Sequence, residues 1–168
     1  VETVGRLVWA EARALTLVAE LEATMDAVRA RAAALPRRPR VYFEEWDEPP
    51  ISAVGWVSEL IGIAGGDDVF AERAVHSGAA QRILADPLEA ARRAPDIIVG
   101  SWCGKRFRPE RVVARAGWED VPAVRDGALH ELKSALILAP GPVAIREGLP
   151  ALAEIIARWA HADRASAA

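Results

Sequence analysis

The sequence predicts an α/β fold, a three-layer Rossmann-like lobe whose mostly parallel sheet is preceded by one long helix. Three observations predict it. Residues 1–35 carry apolar side chains at a helical period, the remainder alternates short β-branched runs with helical segments, and glycine or proline stands at the joints between them.

The apolar residues Ala14, Val18, Leu21, Met25, Val28, Ala32 and Leu35 recur at alternating steps of four and three, as one face of a helix requires. Ala, Leu, Glu and Arg, all good helix formers, dominate this stretch. Pro36 and Pro39 end it, because proline lacks an amide proton and disfavours helix before itself. At ~1.5 Å per residue one helix over residues 4–35 would run ~45–50 Å, long enough to bridge two bodies. A coiled-coil dimer arm is the alternative reading, and Gly5, Glu11 and the many alanines weaken its seam. The expected division is a connecting helix over 1–35 and an α/β lobe over 40–168.

The βα grammar begins at residues 40–44, whose β-branched and aromatic content suits a strand. A turn through Asp47-Glu48-Pro49-Pro50 leads to a helix over 52–64, with Gly65-Gly66 as its stop. Asp86 then caps a helix that has Pro87 at its first position and Glu89 three residues past the cap. Ile97-Ile98-Val99 is a continuous run of the kind buried on both faces of a parallel sheet, and it runs out into Gly100-Ser101-Trp102-Cys103-Gly104-Lys105. A short helix over 109–114, an extended or turn segment over 121–124, a strand over 128–132 and a last helix over 143–160 complete the series. In such sheets ligands bind outside the carboxyl ends of the strands, so the loops at 45–56, 100–108 and 133–142 are the ones to inspect.

Composition removes several classes of function. The net charge is −3 and no run of Lys or Arg exceeds two residues, so no electrostatic footprint for nucleic acid or anionic lipid is present. No apolar stretch approaches the ~20 residues of a membrane span. Cys103 is alone, which excludes an internal disulfide, and His76, His130 and His161 have no metal-binding spacing. Gly62, Gly65 and Gly66 follow a helix instead of opening one after a strand, the wrong context for a phosphate loop. Ser101 lacks the glycine pattern of a nucleophile elbow. The chain opens on Val1 in a helical pattern with no signal-like segment, and reads as a fragment or processed product.

Three clusters remain. Cys103 beside Lys105 and Arg106 reads either as a nucleophile whose thiolate is favoured or as a packing residue, and the latter is preferred because no histidine pattern accompanies it. Glu44, Glu45, Asp47 and Glu48 follow the first strand and read as a solvated rim suited to polar recognition or docking. Trp46, Trp56 and Trp102 fall on two neighbouring strand-end loops, where broad apolar faces with one donor each would suit a bulky or planar solute. Trp9 and Trp159 are expected in core or helix packing.

The order of a long helix, Val41-Tyr42-Phe43-Glu44-Glu45-Trp46, Trp56-Val57-Ser58-Glu59-Leu60-Ile61 and Gly65-Gly66-Asp67-Asp68-Val69-Phe70 resembles the periplasmic binding proteins for cobalamin, ferric siderophores or haem. The likeness continues through Ala94-Pro95-Asp96-Ile97-Ile98-Val99, Ser101-Trp102-Cys103-Gly104-Lys105, Pro122-Ala123-Val124-Arg125-Asp126-Gly127 and Pro140-Gly141-Pro142, nearly the whole chain. The resemblance implies capture of a large solute between two α/β lobes joined by a rigid helix, and delivery to the permease of an ABC importer outside the cytoplasm. It implies no covalent chemistry, no catalytic residue, no resident cofactor or metal, and a first lobe that would precede Val1. Carried onto this chain, ligand contacts would come from Glu45, Trp46, Trp56, Trp102, Cys103 and Lys105, and permease docking from Asp86 or Glu89. The family's cobalamin binders carry an aromatic group shortly before the docking helix and charged groups after the strand at 128–133. Here Gln81-Arg82-Ile83 and Ser134-Ala135-Leu136-Ile137-Leu138-Ala139 lack them. Lys105, Arg106 and Arg108 would instead suit the carboxylates of haem or an anionic chelate. The rival reading is a small cytoplasmic α/β enzyme or cobalamin-processing protein with Cys103 as its reactive centre.

Overall fold

Val41, Tyr42 and Phe43 have no exposed surface, and a strand apolar on both faces belongs at the centre of a sheet. In the computed structural model, which describes residues 1–165, that strand is β1 (Arg40–Asp47). Along one side it runs parallel to β4 (Ile97–Gly100), which runs parallel to β5 (Leu129–Glu131). Along the other, its start pairs in parallel with β3 (Asp67–Asp68) and its end pairs antiparallel with β2 (Pro50–Ser52). The expected α/β lobe with a mostly parallel sheet is what forms.

Alternation along β1 assigns the helix layers. A Cβ added at Gly66 would lie 2.8 Å from Val41 and 3.1 Å from both Ile61 and Ile156, so Val41 faces α3 (Gly55–Ile63) and α9 (Leu149–Ala165). Tyr42 points to the opposite face, its ring edge-on to Phe70 at 5.6 Å and 6.2 Å from Trp118. That layer carries the short helices α4 (Ala71–Ala74), α5 (Leu88–Arg92), α6 (Pro109–Val113) and α7 (Pro122–Arg125). A further turn, α8 (Ser134–Ile137), follows β5, and a π-helical turn at Ala144–Gly148 leads into α9. Gly148 is required there, since a Cβ would stand 2.6 Å from the Leu136 carbonyl oxygen. None of the helices described is long and apolar enough to cross a membrane.

Several expectations need correction. The single helix over 1–35 is two, α1 (Glu2–Leu7) and α2 (Glu11–Ala33), broken at Trp9, whose φ of 56° lies in the left-handed region. The absence of a side chain at Gly5 lets α1 fold back on α2, because a Cβ there would approach that of Ala14 to 2.4 Å. With 23 residues α2 spans ~35 Å instead of ~45–50 Å. Its apolar face stands as expected: Ala14, Leu21 and Val28 are buried, with Val18, Met25, Ala32 and Leu35 half-buried beside them. Trp9, assigned to packing, is 96% exposed. Trp159 does pack, half-buried beneath the Arg37 guanidinium at 3.9 Å.

The helix expected over 52–64 begins only at Gly55, because Pro50–Ser52 pair with the end of β1 as β2 first. The segment at 121–124 is the helical turn α7, with Pro122 at the first position, where its missing N–H costs nothing. The N-cap of α5 is Pro87 and not the expected Asp86, which stands one residue earlier and accepts the Leu88 N–H on Oδ1 at 2.9 Å. The last three residues of the 40–168 span lie outside the described residues.

Candidate functional site

The carboxyl ends of β4 and β5 open on a cavity of about 610 Å³. Trp102, Gly104, Lys105 and Arg106 of the loop after β4 form one wall, and Glu131, Lys133 and Ser134 at the end of β5 form the other. That loop is shaped by Gly100, where a Cβ would stand 1.9 Å from the Phe107 ring. Phe107 therefore lies flat on the strand end. Its N–H donates to Glu131 Oε1 at 3.0 Å and its ring meets Trp102 edge-on at 5.0 Å, which ties the loop to β5. Gly104, at φ 70°, turns the chain so that Lys105 points back along the rim.

Beneath the cavity lies a closed polar network. Glu44 has no exposed surface and accepts from the Tyr42 hydroxyl at 2.9 Å, the Trp102 indole N–H at 3.0 Å and both Arg115 Nη groups at 2.7 and 2.9 Å. Burial, then the Glu44 carboxylate, push the Tyr42 hydroxyl well above its ordinary range, so it stays a neutral donor. Trp102, expected to present a flat face to solute, is only 2% exposed and serves as floor. Glu44 and Asp47, expected on a solvated rim, are both buried. A register shift between Glu44 and Trp46 marks a bulge in β1, where simple alternation fails and Asp47 turns inward.

At the rim Asp47 holds two cations. The Lys105 ammonium bonds Oδ1 and Arg111 Nη1 lies 2.9 Å from Oδ2. Lys105 Nζ also stands 3.9 Å from the Trp46 ring centroid and 5.3 Å from that of Trp102, so these three expected ligand residues meet. Glu45 is taken up differently, accepting from the buried Arg82 at 2.6 Å. Trp56 is 38% exposed and donates its indole N–H to the Ile137 carbonyl at 3.0 Å, which fixes it to α8, the helix whose Ser134 borders the cavity. Cys103 is exposed, and burial with the Glu45 charge pushes its thiol up, the direction opposite to an activated nucleophile.

Glu131, Lys133 and Arg115 escaped the sequence reading. For Lys133 the signal is a cation directly after a strand, which a strand end drawn at 133 conceals. Neither Arg106 nor Lys133 has an ion-pair partner among the described residues. Groups of three or more His, Cys, Asp or Glu able to hold a metal are absent among the described residues. Of the docking pair, Asp86 is about half exposed and bonded to Arg92 at 2.7 Å, whereas Glu89 is clasped by Arg73 at 2.7 Å and Arg93 at 2.8 Å.

A model of the periplasmic binding protein family matches residues 1–136. No curated protein sequence matches the chain. Among solved structures, a possible iron-binding (periplasmic solute-binding) protein from Staphylococcus epidermidis superposes with a TM-score of 0.78 at 21% identity, over 92% of this chain and 59% of that one. The periplasmic heme-binding protein RhuT from Roseiflexus sp. RS-1 gives 0.78 at 22%, over 95% and 61%. S. aureus IsdE complexed with heme gives 0.73 at 17%, over 92% and 61%. At such identities the likeness is one of fold. The chain spans about three-fifths of the length of these relatives.

Proposed function

The chain belongs to the periplasmic binding protein family, and from that premise we propose that it captures an anionic iron chelate or haem outside the cytoplasm and delivers it to the permease of an ABC importer. One observation carries the reading. In a chain of net charge −3, the strand-end cavity is lined by Lys105, Arg106 and Lys133 against Glu131 alone. Arg106 and Lys133 are exposed and have no ion-pair partner among the described residues, so both are available to an anionic guest. The Trp102 floor and the adjacent Trp46 and Trp56 add the apolar area a planar or bulky solute needs. The solved relatives named for iron or heme binding support the same class.

The cavity is one wall of a cleft. Its counterpart would come from the part of that architecture which the chain does not span. Cys103, exposed in the loop after β4, is proposed as a contact of that cleft, and Glu45 as the anchor of the Arg82 segment. Permease docking falls to the outer surface near α5, where Asp86 is the more accessible carboxylate. An enzyme centred on Cys103 is disfavoured by a thiol held neutral and a Lys105 already engaged by Asp47.

The test is a titration of the intact protein with haem, ferric citrate, a ferric hydroxamate and cobalamin, followed by tryptophan emission and solute absorbance. Saturable binding of one or more iron-bearing solutes, weakened about tenfold or more by reversing Arg106 or Lys133 to Glu, is the expected result. Insensitivity to both reversals would remove the cavity from the binding site.

A further inference from the structure

Asp47 is almost fully covered, yet it engages two cations where one would neutralise it. Arg111, with Nη1 2.9 Å from Oδ2 though not hydrogen-bonded to it and with Nη2 shared with Glu48, keeps a positive charge beside the buried carboxylate. Lys105 is the second. Its side chain is one-third exposed, it lines the cavity, and its ammonium rests over the Trp46 ring at 3.9 Å. A lysine head is a compact charge on a four-carbon stem with rotatable donors, so it can change partner without moving the backbone.

We infer that Lys105 is a reserve cation, parked on Asp47 and Trp46 and handed to a carboxylate of the incoming solute while Arg111 continues to neutralise Asp47. The inference rests on the solute-capture reading above and narrows it to solutes that bear carboxylates. The exchange replaces one ammonium–carboxylate pair by another, so the contact forfeited is the cation–π one with Trp46. Asp47 is then a positioning residue, acting on the solute only through where it holds Lys105. The arrangement also selects: a solute without a carboxylate offers the ammonium nothing in return and leaves it in place.

The experiment measures affinities of four probes for the intact protein. Haem and ferric citrate carry carboxylates; haem dimethyl ester and ferrichrome do not. Lys105→Met, a change at a partly exposed side chain, is expected to weaken the first two by about tenfold or more, as loss of a charged hydrogen bond does, and to leave the other two within about twofold. Asp47→Asn, which frees the ammonium, is expected to tighten the carboxylate probes, and the gain should vanish in the double variant. Should Asp47→Asn not fold, the selectivity of Lys105→Met decides alone. Equal losses for carboxylate and carboxylate-free probes, no loss, or binding only of the carboxylate-free pair overturns the inference and leaves solute capture standing. A wild-type protein that binds none of the four overturns both.

Discussion

Glu44 stands inside the protein with no exposed surface and is matched by three donors, from β1 itself, from the loop after β4 and from the segment after α6. Removing one side of such a pair leaves the other charged and buried, which costs far more than the intact pair contributes. Glu44→Ala is therefore expected to lose about 3–5 kcal/mol in urea denaturation, and Glu44→Gln less, because an amide still accepts from Trp102. A loss below about 1 kcal/mol would mean that Arg115 finds water instead. Cys103 gives a second prediction. A raised thiol value means that less thiolate exists at any given pH, so the alkylation rate by iodoacetamide should reach half its plateau at a pH above the ~8.5 of a free cysteine. A midpoint below that value would restore the enzyme reading. Both residues show the limit of reading at this scale: Glu44 is one glutamate in a run of carboxylates, and nothing local to it announces that an arginine 71 positions away will bury it.

Elements were legible where one physical signal ruled. Ile97-Ile98-Val99 had to be a central strand, and the seam from Ala14 to Leu35 had to be a helix face, since burial enforces each period. They were obscure where two signals competed. Pro49 and Pro50 read as a plain turn, although proline is tolerated as the first residue of an edge strand, the place Pro50 occupies in β2. The break at Trp9 is carried by a residue that could equally continue a helix, and Gly5 marks it only once Ala14 is known to lie against it. Gly100 ends a strand that was foreseen, but its purpose belongs to Phe107. Since a Cβ would stand 1.9 Å from that ring, Gly100→Ala must displace Phe107, Trp102 above it and the whole loop over residues 101–108. The expected cost is about 1–3 kcal/mol in thermal or urea unfolding, together with weakened solute binding. Paired with Phe107→Ala, which alone should cost about 3–5 kcal/mol, the total loss should fall short of the two single losses added, because the emptied space accepts the methyl group, while binding stays weak because the Trp102 floor stays unsupported. Strictly additive losses would show that the ring is not what the methyl group meets.

For the molecule as a whole the decisive feature is a mismatch between total and local charge. Alternating strands and helices were enough to read the architecture and the edge at which ligand would sit, because parallel strands end together. Which side chains gather at that edge depends on how far each strand runs and where each loop folds back, and neither Lys133 nor Glu131 could be placed from spacing alone. Once they are placed, an acidic chain is seen to keep a basic hollow. Two opposing fields then act on an approaching anion: repulsion from the distributed net charge and attraction from Lys105, Arg106 and Lys133. At ~0.1 M salt the screening length is ~10 Å, so the distributed charge is already screened there and further salt weakens mainly the close-range attraction of the hollow. Salt should accordingly slow the association of ferric citrate with the intact protein but leave that of the neutral ferrichrome almost unchanged, as stopped-flow tryptophan emission would show. Lys133→Glu should flatten the salt dependence for ferric citrate without altering the rate for ferrichrome. Were salt to accelerate the anionic probe in the unsubstituted protein, the long-range repulsion would be the governing field, and the basic hollow would act only after contact, on dissociation.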